Sequence, residues 1–235
     1  MKKKIINYKI DSETFLGFAA YPDATKFPAV IIAHTNAGRD EFIDEKAKEI
    51  ATMGYLGFAL DMYGDGEKVT NREEKMEKMR PLLNDRAKIV KRVNAAYNKV
   101  KTISGVDKSK IAIFGYCFGG LVSLDLARSG AKLKGCASFH GFLNNSDQFE
   151  DKSLTAKILI MHGMQDPMVG QDQLDSFYQE MNEKKADWQL HIFGDSMHSF
   201  TNPEANDPVF GAVYSELADK RSWLLLKDFL REVLA

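Results

Sequence analysis

Short apolar runs alternate along this chain with segments whose apolar residues recur at helical spacing. Continuous apolar runs are typical of strands that are buried on both faces of a parallel sheet, and the helices between them cover those faces. Strands of this kind are predicted at 29–33, 56–62, 110–116, 135–139, 157–161 and 188–193. Helices are predicted at 41–53, 70–102 with an interruption, 119–128, 171–183 and 214–234. The pattern predicts an α/β fold with a mostly parallel central sheet and helices on both faces.

The first two strand-like segments follow a different rule. Residues 5–10 and 15–21 are separated only by a short polar turn, which leaves no room for a crossover helix. An antiparallel hairpin at one edge of the sheet is therefore predicted. We find no linker, internal repeat or low-complexity tract, and α/β folds of this length commonly form one unit. Residues 1–235 are predicted to be a single domain.

The segment 70–102 contains the least regular pattern. Thr70 with Glu73 fits a capping box, Pro81 is expected to break the helix, and Asn84 is expected to cap a second one. The part at 70–83 is either a mobile cap whose Met76 and Met79 contact substrate, or an ordinary solvated surface helix. The last helix is predicted to turn a longer apolar set inward, namely Leu217, Trp223, Leu224, Leu226, Phe229 and Val233.

Composition excludes several classes of protein. Lys and Arg number 32 against 33 Asp and Glu, so no excess of positive charge favours nucleic acid. The two cysteines, Cys117 and Cys136, are too few for a disulfide framework and fit a reducing compartment. The apolar run after Met1–Lys4 is too short for a secretory signal, and no run is long enough to span a membrane. We expect a cytoplasmic protein, with no indication of a metal or cofactor.

One glycine-rich turn stands out between a predicted strand and a predicted helix. Gly115-Tyr116-Cys117-Phe118-Gly119-Gly120 has the context of a nucleophile elbow, in which glycines remove side chains that would collide at a sharp turn. The helix N-terminus beneath Cys117 favours the negatively charged, reactive thiolate. Two alternatives are a buried apolar cysteine and a dinucleotide-binding turn. The second lacks the initial Gly-x-Gly pair that such turns normally carry.

A thiol nucleophile needs a base, and the base needs an orienting acid. His198 lies in a loop after the last predicted strand, and Asp166 lies in the loop after the preceding one. Both loops fall at the carboxyl ends of parallel strands, where ligands bind in such sheets. The order nucleophile, acid, base is that of the α/β-hydrolases. The remaining histidines are expected to be structural, and they are His34, His140, His162 and His191.

With these residues in place, the chain resembles the dienelactone hydrolase family, the cysteine branch of the α/β-hydrolases. The resemblance covers most of the chain: 28–38, 61–64, the elbow at 115–120, 162–167, 198–200 and the terminal helix with Ala218 and Trp223. It implies an α/β-hydrolase fold with Cys117 as nucleophile, Asp166 as acid and His198 as base. It also implies an oxyanion hole made by the backbone N–H groups of Asn36 and Phe118.

Two departures from the family pattern bear on the substrate. The family glutamate that helps to control the cysteine's protonation is replaced by Thr35, which is not a carboxylate. The family arginine shortly after the catalytic histidine is missing, and the next arginine is Arg221. A carboxylate clamp needs such a group, so the substrate is expected to differ from the family's namesake lactone. Thr35 and Tyr63 are predicted to line the pocket, with a packed strand-end aromatic as the alternative for Tyr63.

The expected activity is hydrolysis of a small ester, lactone or thioester through an acyl-enzyme on Cys117. The first alternative is a non-catalytic binding protein that keeps the hydrolase pocket, which the loss of the glutamate at Thr35 favours. The second alternative is a redox protein in which Cys117 is oxidised reversibly. Cys136 is expected to lie about a strand length from Cys117, beyond the reach of a disulfide, which argues against this alternative. The only partner expected is the small-molecule substrate, with the chain acting as a monomer or a homodimer.

Overall fold

The continuous apolar runs form the middle of an eight-stranded sheet in the order β1-β2-β4-β3-β5-β6-β7-β8. The computed structural model describes residues 1–149 and 152–235. All strand pairs from β4 to β8 are parallel, whereas β1 with β2 and β2 with β4 are antiparallel. The strands are β1 (Lys2–Ile10), β2 (Glu13–Tyr21), β3 (Phe27–Ala33), β4 (Leu56–Ala59), β5 (Val106–Tyr116), β6 (Gly135–Phe139), β7 (Lys157–Gly163) and β8 (Trp188–Phe193).

Helices cover both faces of this sheet. They are α1 (Glu41–Thr52), α2 (Arg72–Leu83), α3 (Arg86–Val100), α4 (Phe118–Arg128), α5 (Gln171–Glu183) and α6 (Glu216–Leu234). Strand β3 shows why two cores form: Ala29 and Ile31 point into the core shared with α2 to α5, and Val30 and Ile32 point into the core shared with α1 and α6. The predicted α/β-hydrolase fold, with its antiparallel N-terminal hairpin, is confirmed. Within the described residues, no helix has the length and apolar character needed to cross a membrane.

Strand β4 is shorter than predicted because Asp61 turns the chain out of the sheet. Its Oδ1 accepts hydrogen bonds from the N–H groups of Tyr63 and Gly64, and its Oδ2 accepts from those of Leu16 and Gly66. A buried carboxylate that collects four backbone donors fixes a tight loop, and backbone groups held this way are not free to pair with a neighbouring strand. The apolar residues after Ala59 are therefore buried without being part of the strand.

The helix boundaries around residue 80 differ from the prediction. Asn71, rather than Thr70, caps α2, and its Oδ1 accepts from the N–H groups of Glu73 and Glu74. Pro81 lies inside α2 and does not break it. Proline has no N–H, so one carbonyl of the preceding turn lacks its helical donor. The helix tolerates this because Pro81 is exposed near its C-terminal end, where that carbonyl can bind water. Asn84 is the C-cap of α2, and Asp85 is the N-cap of α3.

The buried face of α6 was predicted wrongly at two positions. Leu217 and Leu224 are 58% and 59% exposed. Leu226 is buried, and it lies about 200° around the helix from Leu224, so the two cannot both face the sheet. Small residues allow the close approach instead, and the buried set is Ala218, Ser222, Leu226, Phe229, Leu230, Val233 and Leu234. Trp223 is half-buried and packs edge-on against Phe114.

Candidate active site

Cys117 occupies the sharp turn between β5 and α4. Its backbone has φ 54° and ψ −117°, a conformation that non-glycine residues rarely adopt and that is retained at functional sites. A Cβ on Gly115 would lie 2.1 Å from the carbonyl oxygen of Gly119, and a Cβ on Gly119 would lie 2.2 Å from that of Ala33. Both glycines are thus required by close backbone approach, as the elbow pattern predicted.

The Cys117 backbone is also tied to the neighbouring strand. Its N–H donates to the carbonyl oxygen of Phe139, at the end of β6, over 3.0 Å. Its own carbonyl accepts from Gly120 N–H within the first turn of α4. The side chain is only 7% exposed. The nucleophile candidate is therefore held rigidly at the carboxyl end of the sheet, at the N-terminus of a helix.

His198 and Asp166 meet across two loops at the same end of the sheet. His198 Nδ1 donates to Asp166 Oδ2 over 2.8 Å, and both side chains are buried. Asp166 Oδ1 accepts from the N–H of Met168 over 2.8 Å, which orients the carboxylate. The N–H of His198 donates to the carbonyl oxygen of Gly211 over 2.9 Å. The acid and the base predicted from sequence are thus brought into direct contact.

The second ring nitrogen of His198 has no such partner. Nε2 is buried and makes no hydrogen bond of ordinary geometry to any described residue. Burial works against a positive charge on this ring, but the nearby Cys117 and the hydrogen bond to Asp166 outweigh it and raise the pKa of His198 to about 10. The arrangement favours a charged imidazolium whose Nε2 lies next to Cys117 and can exchange a proton with a reacting group.

The two predicted oxyanion donors lie in the residues that follow Cys117 and strand β3. Phe118 is the first residue of α4, and Asn36 lies in the turn after β3. Within the described part of the chain, neither backbone N–H donates to a protein acceptor. Tyr63 donates its hydroxyl to the carbonyl oxygen of Asn36 over 3.0 Å, which holds that peptide in place.

Tyr63 and Thr35, the two predicted lining residues, are both engaged in local packing. The Tyr63 ring stacks on Phe118 and meets His34 edge-on. Burial, reinforced by the charge of Cys117, raises the pKa of the Tyr63 hydroxyl. Thr35 is half-buried, and its Oγ1 accepts from the N–H of Ala37 over 3.1 Å. The ring of Tyr63 therefore fits the alternative prediction of a packed aromatic residue, while its hydroxyl contacts the Asn36 peptide.

The remaining histidines fall into two groups. His34 Nδ1 donates to Thr35 O over 2.6 Å and His34 Nε2 accepts from Met62 N–H over 3.1 Å, so both nitrogens serve the backbone. His191 lies in β8, and its Nε2 contacts Gln189 Oε1 over 3.3 Å. These two fit the predicted structural role.

His140 and His162 lie beside the triad, which their positions at strand ends could have signalled. The His140 ring is 5.1 Å from that of His198, and His140 Nε2 contacts Thr201 Oγ1 over 2.8 Å. Burial lowers the pKa of His140 and of His162, so both rings are neutral next to the charged His198. Phe142, whose ring stacks on His198 at 6.2 Å, was missed because it belongs to no strand or helix.

Cys136 lies at the far end of β6 from the site. It is in register with Ile113 of β5, four residues before Cys117, and it is fully buried. Burial raises the pKa of its thiol. Both cysteines are free. This separation agrees with the prediction that Cys136 is out of reach of Cys117.

Comparison with known proteins finds a family, relatives and solved structures that this chain resembles. The family model of the dienelactone hydrolase family matches residues 15–234. A protein of Bradyrhizobium named a probable 2-oxo-3-(5-oxofuran-2-ylidene)propanoate lactonase is 26% identical over 232 residues, covering 94% of this chain and 90% of that protein. An uncharacterized protein of Caenorhabditis elegans is 38% identical over 151 residues, covering 63% of this chain and 96% of that protein.

A solved structure extends the likeness to the whole chain. The crystal structure of a dienelactone hydrolase-like promiscuous phosphotriesterase from metagenomic libraries has a TM-score of 0.95 and 28% identity. It covers 100% of this chain, which in turn covers 99% of that one. The family match spans nearly all of the residues from β2 to the end of α6. This chain therefore belongs to the dienelactone hydrolase family and is a lactone or ester hydrolase.

Proposed function

We propose that the chain hydrolyses a small ester, lactone or thioester through a Cys117–His198–Asp166 triad. The observation that carries the proposal is the buried Asp166–His198 hydrogen bond of 2.8 Å, which leaves His198 Nε2 without a protein partner next to Cys117. An acid that fixes the tautomer and orientation of a base beside a nucleophile is the arrangement of acyl-transfer enzymes.

The reaction proceeds in two steps. The Cys117 thiolate attacks the carbonyl carbon, and its electron pair forms the carbon–sulfur bond while the carbonyl oxygen becomes an oxyanion. When the tetrahedral species collapses, the bond to the leaving oxygen or sulfur breaks, and the His198 imidazolium donates its Nε2 proton to that atom. Neutral His198 then takes a proton from water, which attacks the acyl-enzyme and releases the carboxylic acid and the thiolate.

The oxyanion is assigned to the backbone N–H groups of Asn36 and Phe118. Their lack of protein acceptors within the described residues supports this role, as does the Tyr63 hydroxyl that holds the Asn36 peptide. Fixed donors of this kind are worth roughly 10²–10³ in rate each, because they need no reorganisation when charge develops.

The substrate is proposed to be a small ester or lactone without an obligatory carboxylate. No arginine follows His198 before Arg221, and Thr35 supplies no carboxylate to the site. The Bradyrhizobium relative is named for a lactone that carries a carboxylate, so it provides the contrary expectation. A panel of lactones, aryl esters and thioesters, each with and without a free carboxylate, decides between them. A strong preference for the carboxylate-bearing members would contradict the proposal.

The primary test replaces the nucleophile. Cys117→Ala is expected to lower turnover of a short p-nitrophenyl ester by at least about 10³-fold, since loss of a triad nucleophile removes most of the catalysis. Cys136→Ala is the matched control, because it removes the other thiol, which is buried away from the site. Undiminished hydrolysis by Cys117→Ala would refute the assignment.

The alternative is a binding protein that keeps the hydrolase fold without efficient chemistry, which the replacement of the family glutamate by Thr35 favours. Mass spectrometry after treatment with a thiol-directed activated ester separates the two. Stoichiometric labelling of Cys117 that is lost in His198→Ala supports the enzyme. Labelling of Cys117 at no more than the level of Cys136 supports the binding protein.

A further inference from the structure

The reacting groups of the proposed site are almost completely covered. Cys117 is 7% exposed and His198 is 2% exposed, and His198 Nε2 has no contact with solvent. An ester cannot reach the sulfur of a side chain in this state unless some part of the cover moves or the substrate is very small. The residues that close the carboxyl end of the sheet therefore influence which substrates enter.

One contact joins two segments that approach this end of the sheet from opposite sides. The guanidinium carbon of Arg72, in the first turn of α2, lies 4.0 Å from the centre of the Phe210 ring. Phe210 belongs to the loop between the short strands β9 (Asn206–Asp207) and β10 (Ala212–Val213). Within the described residues, no carboxylate pairs with Arg72, so its charge is directed to the Phe210 ring.

The order of strands places this contact across the site. The chain reaches Arg72 from β4 and reaches Phe210 from β8, and strands β3, β5, β6 and β7 lie between those two. At a spacing of about 4.8 Å per strand, the two starting points are some ~24 Å apart. Cys117 lies at the end of β5, inside that interval. Two segments that start on either side of this interval and touch each other therefore span the strands between them, including β5.

Each side of the contact is anchored to the site. On one side, Met79 and Leu82 bury α2 in the core, and the N–H of Val69 donates to the carbonyl oxygen of Ala37, next to Asn36. On the other, Gly211 accepts the hydrogen bond of His198 N–H, and a Cβ on Gly211 would lie 2.2 Å from Cγ of Pro167. The residue after Phe210 is therefore fixed to both the base and the acid loop.

We propose that Arg72 and Phe210 form a latch over the substrate cleft and determine the size of the ester that Cys117 accepts. Both side chains are exposed, and the interaction that joins them is a cation–π contact between side chains, so the latch can open without unfolding α2. Small substrates pass the closed or briefly opened latch, whereas bulky ones require it to be displaced. This inference rests on the proposed function for its substrate, but access to Cys117 can be measured without any hydrolysis.

The test compares small and bulky alkylating reagents on Cys117 in the full chain. Phe210→Ala and Arg72→Ala are each expected to raise the alkylation rate by fluorescein maleimide about two- to fivefold, the factor that corresponds to loss of one exposed cation–π contact. The rate with iodoacetamide is expected to change little. The kcat/KM ratio of a bulky aryl ester to p-nitrophenyl acetate should rise by the same factor.

Controls come from the same two segments. Val209→Ala alters the fully exposed neighbour of Phe210, and Arg80→Ala removes a charge from the other end of α2, so neither should change either ratio. The double variant Arg72→Ala/Phe210→Ala should match the single variants, because either substitution opens the latch. Equal effects on small and bulky reagents, or additive effects in the double variant, would overturn the proposal. A changed alkylation ratio without ester hydrolysis would leave the latch standing and refute the proposed function instead.

Discussion

At the scale of single residues, the proposed chemistry depends on the charge state of His198. Burial alone would keep the ring neutral, as it does for His140, but Cys117 and Asp166 reverse that effect and raise the pKa of His198 from 6.5 to about 10. Since the folded value lies above the unfolded one, the stability that this ring contributes is full below pH 6.5 and is lost as pH rises through about 10.

This charge state predicts the titration of the His198 ring. In the NMR spectrum, the ring signals of His198 should not shift between about pH 6 and 8, because a ring with a pKa of about 10 stays protonated across that range. Asp166→Asn removes one of the groups that raise this pKa, so its His198 signals should begin to shift at lower pH. Asp195→Ala, which changes an exposed side chain three residues from His198, is the control and should leave the titration unchanged. A His198 titration midpoint near 6.5 in the native protein would contradict the raised pKa.

The candidate residues of the site could be predicted because each one follows a recognisable strand. Cys117, Asp166 and His198 all lie in loops after apolar runs that form β5, β7 and β8. Phe142 and the Arg72–Phe210 contact could not be predicted, since they depend on how irregular segments fold back over the sheet. No periodicity in the sequence encodes such contacts.

At the scale of elements, the elbow is the feature whose geometry follows most directly from its sequence. Gly119→Ala should destabilise the protein by about 1–3 kcal/mol, because its Cβ would lie 2.2 Å from the carbonyl oxygen of Ala33, a backbone atom that cannot move aside. Gly194→Ala is the matched control, since a Cβ there meets nothing within 4 Å. Urea unfolding of the two variants measures the difference. Equal midpoints would show that the turn is looser than the structure indicates.

Boundaries of elements were harder to predict than their existence. The end of β4 depends on Asp61, whose partners include Leu16, a residue of a strand that comes much earlier in the chain. The inward face of α6 depends on which side meets the sheet, and a helix with apolar residues at so many positions allows more than one choice. In both cases the deciding contact is remote in sequence. Local patterns alone therefore could not predict them.

At the scale of the whole molecule, a buried ionic network ties three helices to the loop beside the site. Arg128, on α4, is completely buried and donates to Glu180 on α5, and Arg86, on α3, pairs with Asp125 on α4. Arg128 also donates to the carbonyl oxygen of Leu143 over 2.8 Å, and both arginines donate to that of Asn144. These carbonyls belong to the two residues after Phe142, whose ring stacks on His198. The network therefore holds in place the loop that carries Phe142.

Breaking this network should be costly. Arg128→Met is expected to destabilise the fold by about 3–5 kcal/mol, because it removes a positively charged partner from the buried carboxylates of Asp125 and Glu180. Lys220→Met, which removes an exposed partner of Glu216, should have little effect. Chemical denaturation of both variants checks the contrast. A loss for Arg128→Met no larger than that for Lys220→Met would show that the buried pairs contribute nothing.

Two expectations remain predictions: that residues 1–235 form a single domain, and that the chain is a monomer or a homodimer. The eight-stranded sheet includes strands from both ends of the chain, and α6 packs on β5, β6 and β7. This interleaving fits one cooperative unit, which a single unfolding transition would show.

The central claim is that Cys117 carries the acyl group during turnover. The most direct measurement is intact-protein and peptide mass spectrometry after rapid acid quenching of the reaction with a p-nitrophenyl ester. We expect a mass increase of one acyl group per chain, located on the Cys117 peptide. This acylated species should disappear once the substrate is exhausted, and it should not form in Cys117→Ala. Turnover without any acylation of Cys117, or an acyl group located on another residue, would contradict the account.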